Sequence, residues 1–276
     1  MTAPRVTTAP PPASADSLAA FRGAVRATLG SAAPPARPGA SPIHPFVLSS
    51  PAFDDTVRGL AVDPAAIPVV VHVSQRITVS RLLRPDEPVT VDLQVTGARR
   101  EARGVRLALH GAVLDADTEP IADLITSVLL NAAVTVEPFG EMPTPAAPAG
   151  SGVGTPANRT WSLTTEMIRR YAEASGDHNP IHLDDAAARA AGFDGVIAHG
   201  MSVLAAVTEI AVDEYGDGDP AMIRDVGCRF SSPVSPGEPV DVELRPDAGG
   251  SVIRFACSAA RGIALKAGWI AIGAPR

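Results

Sequence analysis

Hydrophobic positions change their period several times along this chain. Residues 14–29 place Leu18, Phe21, Val25 and Leu29 at helical spacing, and Gly30 suits the end of that helix. Further on the period drops to two. Residues 69–78 are β-branched, with His72 among them, and residues 88–96 set Val89, Val91, Leu93 and Val95 on one face. Residues 105–113 alternate through Leu107 and Leu109, and residues 122–136 form a fourth apolar run. Four such runs joined by short turns predict an antiparallel sheet. Helical spacing returns after Thr164, a plausible N-cap, with Ile168, Tyr171, Ala172 and Ser175 on one side. A short helix over 185–191 follows, capped by Asp184 and closed by Gly192. Residues 201–215 are apolar almost all round, the mark of a buried helix. Residues 224–233, 239–244, 251–260 and 263–272 then read as four strands.

Between the two patterned regions, residues 137–159 carry five prolines and no period, so they read as a linker. Residues 1–42, rich in Pro and Ala around the one predicted helix, read as a flexible N-terminal segment. The chain therefore divides into that segment, a first half over 43–136, the linker and a second half over 160–276. One echo relates the halves. Arg84-Pro85-Asp86-Glu87-Pro88-Val89-Thr90-Val91 resembles Ser235-Pro236-Gly237-Glu238-Pro239-Val240-Asp241-Val242, at the same place in each four-strand set. The match points to duplication of one α+β unit, a helix wrapped by an antiparallel sheet.

Composition narrows the function. A net charge of −7 with no Lys/Arg block gives no footprint for nucleic acid. No run of about 18 uncharged apolar residues offers a membrane span, and residues 1–12 lack the apolar core of a secretion signal. The expectation is a cytoplasmic protein. Cys228 and Cys257 lie in alternating apolar segments and read as buried thiols.

The chemistry concentrates in Gly176-Asp177-His178-Asn179-Pro180-Ile181-His182. Pro180 lacks an N–H and disfavours helix at Asn179, so 177–182 must turn, and a turn can aim Asp177 and His182 into one space. A carboxylate and a neutral imidazole sharing a water can take a proton from that water and return one elsewhere. Asn179 can orient the pair. Gly195-Val196-Ile197-Ala198-His199-Gly200-Met201 leads into the buried helix. The Gly200 N–H sits unpaired at the helix start, where a developing oxyanion would be stabilised. His178 and His182 are four apart with Asp177 beside them, but Pro180 denies the helix that a metal reading needs, so no metal is expected. His178 reads as solvent-facing, His44, His72 and His110 as structural, and Asp184 and Asp185 as a helix start. His199 reads mainly as structural, with contact to a substrate arm as the alternative. Any one of Arg169, Arg170, Arg189 and Arg261 reads as a solvated surface charge, with a grip on ligand phosphates as the alternative.

These two motifs together resemble the signature of the MaoC-like, (R)-specific enoyl-CoA hydratase (hydratase 2) family. The resemblance implies the hot-dog fold, no cofactor, and interconversion of trans-2-enoyl and (3R)-3-hydroxyacyl thioesters of coenzyme A or acyl carrier protein. It implies Asp177 and His182 as the catalytic pair, Asn179 in support and the Gly200 N–H as oxyanion donor, with His199 and Met201 beside it. The whole chain is similar to two-hot-dog members that act as 3-hydroxyacyl-thioester dehydratases. In that reading the first half, which has no Asp-x4-His, is a worn copy that shapes the acyl pocket. The chain is then a pseudo-dimer in itself and can pair again as a homodimer. A hot-dog thioesterase and a non-catalytic acyl-binding subunit are the alternatives, and the Asp177–His182 pairing argues against both.

Overall fold

The computed structural model describes residues 5–30, 37–60, 69–131 and 136–273. Its elements run β1 (Arg5–Thr8), α1 (Ala15–Thr28), α2 (His44–Gly59), β2 (Val69–Val79), β3 (Thr90–Glu101), β4 (Gly104–Leu114), β5 (Pro120–Asn131), β6 (Phe139–Gly140) and β7 (Ala157–Ser162). They continue with α3 (Thr165–Ser175), α4 (Asp185–Ala190), α5 (Gly200–Tyr215), β8 (Ile223–Phe230), β9 (Pro239–Pro246), β10 (Val252–Ala259) and β11 (Gly262–Ile272). Among the described residues no helix is long and apolar enough to cross a membrane.

All strands join one antiparallel sheet in the order β1-β3-β4-β5-β2-β8-β11-β10-β9-β7, with β6 on β3. That order is a palindrome of two copies. Each copy reads edge strand, helix, buried-side helix, then four strands, so β1, α1, α2 and β2–β5 correspond to β7, α3, α5 and β8–β11. The echo seen in the sequence marks the same turn in both. Asp86 and Gly237 each take a positive φ, 58° and 82°, at the position after proline where such turns require it. Glu87 then accepts the N–H of Arg84, as Glu238 accepts that of Ser235. The result is an α+β double hot dog.

The copies meet where β2 pairs with β8, from Ser74↔Arg229 to Thr78↔Asp225. Asp225 fastens this seam. Its carboxylate accepts from Arg76 at 2.7 and 2.9 Å, from Thr78 at 3.0 Å and from the Trp269 indole at 2.6 Å.

Three features depart from the sequence expectation. Arg5–Thr8, expected in a flexible segment, pairs with β3, with Arg5 bound to Asp92. The helix after it buries Leu18, Phe21 and Val25 as its spacing predicted, so this segment is built into the first half; residues 1–4 and 31–36 lie outside the described residues. Helix α2 has no counterpart in the predicted pattern because Pro51 sits inside it, and an interior proline removes a helical hydrogen bond. Residues 139–145 do not swing free, since β6 is pinned on Gly97 and Ala98 of β3. The end of the fourth apolar run, residues 132–135, falls outside the described residues. Cys228 and Cys257 are buried free thiols whose pKa values burial raises.

At the centre, α5 is buried from Met201 to Val212 yet carries Glu209, which is 0% exposed. A carboxylate there needs a cation. Arg22 and Arg26, one turn apart on α1, supply two: Arg22 Nε donates to Glu209 at 2.8 Å and Arg26 Nη1 at 2.9 Å. Arg26 also forms a two-pronged pair with Asp213, both contacts at 3.0 Å. Breaking a buried pair strands its partner's charge. Arg22→Met is therefore expected to lower unfolding free energy by roughly 3–5 kcal/mol in urea titration. Arg37→Met, which removes the exposed pair with Asp219, should cost less than about 1 kcal/mol. Equal losses would contradict the central place given to Glu209.

Candidate active site

The site begins where α3 stops. Gly176 takes the left-handed conformation, φ 72°, and its N–H caps the helix at Ala172 O. Two side-chain turns follow. Asp177 Oδ1 accepts the N–H of Asn179 at 3.2 Å, and Asn179 Oδ1 accepts that of Ile181 at 3.4 Å. Pro180 then opens a single 3-10 turn ending at His182. Asn179 thus acts through its backbone on Asp177 and through its amide on the turn that carries His182.

His182 is held from behind. Its Nδ1 lies 2.8 Å from Ile197 O. A carbonyl oxygen only accepts, so Nδ1 bears the proton and Nε2 keeps a free lone pair. Burial lowers the His182 pKa, against the opposing pull of Asp177, so the ring is neutral at neutral pH. His199 packs against it, tilted, with ring centroids 3.9 Å apart, and donates from Nε2 to the Asp177 backbone carbonyl at 3.0 Å. Burial first, and then His182, push the His199 pKa down to about 4. Asp177, His182 and His199 bring one ligand-type atom each within 4.8 Å of one another.

Asp177, Asn179, His182, Gly200 and Met201 all line one cavity of about 630 Å³. His199 does not. It is 1% exposed and stands behind Asp177 and His182. Gly200 is the first residue of α5, where its N–H has no acceptor within the helix. The ring of Phe230 covers its α-carbon: an added Cβ would lie 2.7 Å from Phe230 Cδ1. Asp184 and Asp185 are spent on structure, capping Ala187 and Val196 N–H at 2.8 and 2.9 Å. His178 is half exposed, beside Glu173.

The far wall belongs to the first half. Phe46, Phe53 and Val57 of α2 and Val70, Val71 and His72 of β2 line the same cavity. His72, expected to be merely structural, is stacked on Phe46 at 5.4 Å and tilted against Phe230 at 4.5 Å. It shares Gln75 Oε1 with Thr126, at 3.2 and 2.8 Å, and desolvation lowers its pKa to about 4. The sequence signal available for it was a histidine in a β-branched strand, with nothing to indicate that the strand would face the other half's turn.

The chain is similar to known proteins in sequence and in fold. The family described as MaoC like domain matches residues 146–252. The 3-hydroxyacyl-thioester dehydratase X of Mycobacterium tuberculosis is 30% identical over 191 residues, covering 69% of this chain and 64% of that protein. Two other curated relatives are covered to 14% and 25% of their lengths, so the chain spans less than two thirds of each of these three. Among solved structures, a MaoC-like dehydratase from Phytophthora capsici superposes with a TM-score of 0.76 at 18% identity, over 98% of this chain and 95% of that one. A Mycobacterium tuberculosis protein described as a double hot dog superposes at 0.64 and 15% identity, over 99% and 96%.

The buried neutral histidines make stability depend on pH. His44, like His199, has its pKa pushed from 6.5 down to about 4 by burial. Each contributes stability that is complete above about 6.5 and is lost as pH falls toward about 4, because the unfolded chain takes up protons that the fold excludes. His44→Leu, away from the cavity, should flatten that decline by about one proton, roughly 1.4 kcal/mol per pH unit. Urea titrations between pH 6.5 and 4 check this, and an unchanged slope would count against the buried neutral form.

Proposed function

We propose that this chain, a MaoC-like protein of double hot-dog fold, is a hydro-lyase that adds water to trans-2-enoyl thioesters and removes it from (3R)-3-hydroxyacyl thioesters. The observation that carries the reading is a convergence. The Asp177 carboxylate, the unprotonated Nε2 of a neutral His182 and the Gly200 N–H belong to residues that open on one cavity with an apolar far wall.

In the hydration direction a water lies between Asp177 and His182 and loses a proton to the pair as its oxygen bonds to C3. The π electrons move toward C2, and negative charge gathers on the thioester oxygen. That oxygen accepts from the Gly200 N–H at the positive end of α5. C2 then takes a proton from the pair, so the two groups end as they began. Dehydration retraces the same steps. His182 suits the part because its tautomer is fixed by Ile197 O, and burial keeps it neutral. Asn179 and His199 act through the loop, holding Asp177 by its carboxylate and by its backbone. The acyl chain runs toward Phe46, Phe53 and Val57, so the first half sets its length. Coenzyme A and acyl carrier protein both present the thioester this site requires.

The test is loss of the conjugated double bond in trans-2-enoyl-CoA substrates of several lengths. Wild-type chain should give (3R)-hydroxyacyl-CoA, with chains longer than four carbons accepted. Asp177→Asn and His182→Gln should each lower kcat by about 10²–10⁴. Turnover of only four-carbon substrates would remove the acyl role of the first half. Release of free thiol in place of hydration would make the chain a thioesterase.

A further inference from the structure

A second cavity, of about 220 Å³, lies across the seam on the outer face of the sheet, and the reaction above makes no use of it. Ser74 of β2 and Ser127 of β5 line it, paired in register, and the row of small residues continues through Ala108 of β4 to Gly97 of β3. Directly paired residues share one face of a sheet, so these small side chains leave a trough on that face. The linker roofs it. Residues Met142, Pro143, Thr144 and Pro145 line the cavity, held down where Glu141 O would lie 2.2 Å from a Cβ on Gly97.

Cations surround the trough. Arg229, paired with Ser74, lines one end, with Lys266 beside it on β11. Arg99 and Arg106 line the other end and stand directly opposite each other, an arrangement of like charges that disfavours pairing unless an anion intervenes. Glu101 binds both of them, which leaves three guanidiniums against one carboxylate. Arg229 forms no ion pair among the described residues. The surplus is positive although the chain as a whole carries −7. One observation points to a ligand: Ser127, 7% exposed and lining this cavity, has a buried Oγ with no hydrogen-bond partner among the described residues. A buried hydroxyl without a partner costs free energy, and here it lies among the guanidiniums.

We infer that this trough binds the phosphate group of a small ligand, with Arg229, Arg106 and Arg99 supplying charge and Ser127 and Ser74 supplying hydroxyl donors. A cavity of that size equals about seven waters at ~30 Å³ each, room for a tetrahedral oxyanion and part of what it is attached to. Guanidiniums match phosphate oxygens through paired N–H donors. The phosphate can be inorganic phosphate or the nucleotide end of coenzyme A, which the same chemistry would hold.

Isothermal titration of the full chain with inorganic phosphate and separately with coenzyme A tests this, using Arg229→Gln and Ser127→Val. Arg245→Gln, on the exposed Glu243 pair, serves as control. Phosphate affinity should fall about tenfold in Arg229→Gln, the loss of one charge-assisted hydrogen bond, fall in Ser127→Val, and stay unchanged in the control. If coenzyme A weakens in parallel, the site takes the carrier's phosphate. If only inorganic phosphate weakens, the source is free phosphate. Absence of saturable phosphate binding, or equal affinity in all four proteins, overturns the proposal. Arg229 is exposed, so its replacement leaves the fold intact should Ser127→Val fail to fold. Binding is read without turnover. An inactive chain that binds phosphate here would sink only the hydro-lyase reading, and an active chain that does not would sink only this one.

Discussion

One buried carboxylate organises the molecule. Glu209 lies inside a helix that is otherwise apolar, where a lone negative charge would be prohibitive. Its two arginine partners are on α1, so the N-terminal helix is compelled to lie against α5 of the other copy. That contact draws the amino-terminal segment into the core and places α1 against α3 at the pseudo-twofold. It also fixes the axial position of α5, and with it the place where the Gly200 N–H meets the cavity. The apolar stripe of Leu18, Phe21 and Val25 is buried along with those charges.

The second copy was legible almost throughout because its signals are local. Thr164 caps α3, Asp184 caps α4, and Pro180 forces the turn, each acting within three or four residues. The first copy hid more. Helix α2 carries Pro51, which breaks the sequence rule for helices, and the expected flexibility of residues 1–42 ignored Arg22 and Arg26. Glu209 in an apolar helix was the available clue to them, but its partners are 183 and 187 residues away. The cavity's far wall escaped for the same reason. His72 acquires meaning only when β2 and β8 are paired, and no spacing along the chain encodes that pairing.

The seam also explains how one strand serves two faces. On β8, Phe230 points inward over Gly200 while its neighbour Arg229 borders the outer trough. Asp225, gripped by Arg76, Thr78 and Trp269, keeps that strand from sliding. A one-residue slip would exchange the two faces and empty both.

Because both copies lie on a single polypeptide, each can vary alone. In a symmetric homodimer every substitution appears twice, so a change in the wall given to one site is also made in the copy that supplies that site's other residues. Covalent joining removes that coupling. The first copy has no Asp-x4-His and presents Phe46, Phe53 and His72 to its neighbour's cavity. On the proposed hydro-lyase reading, α2 and β2 can therefore vary the acyl wall while the proposed reacting groups stay unchanged.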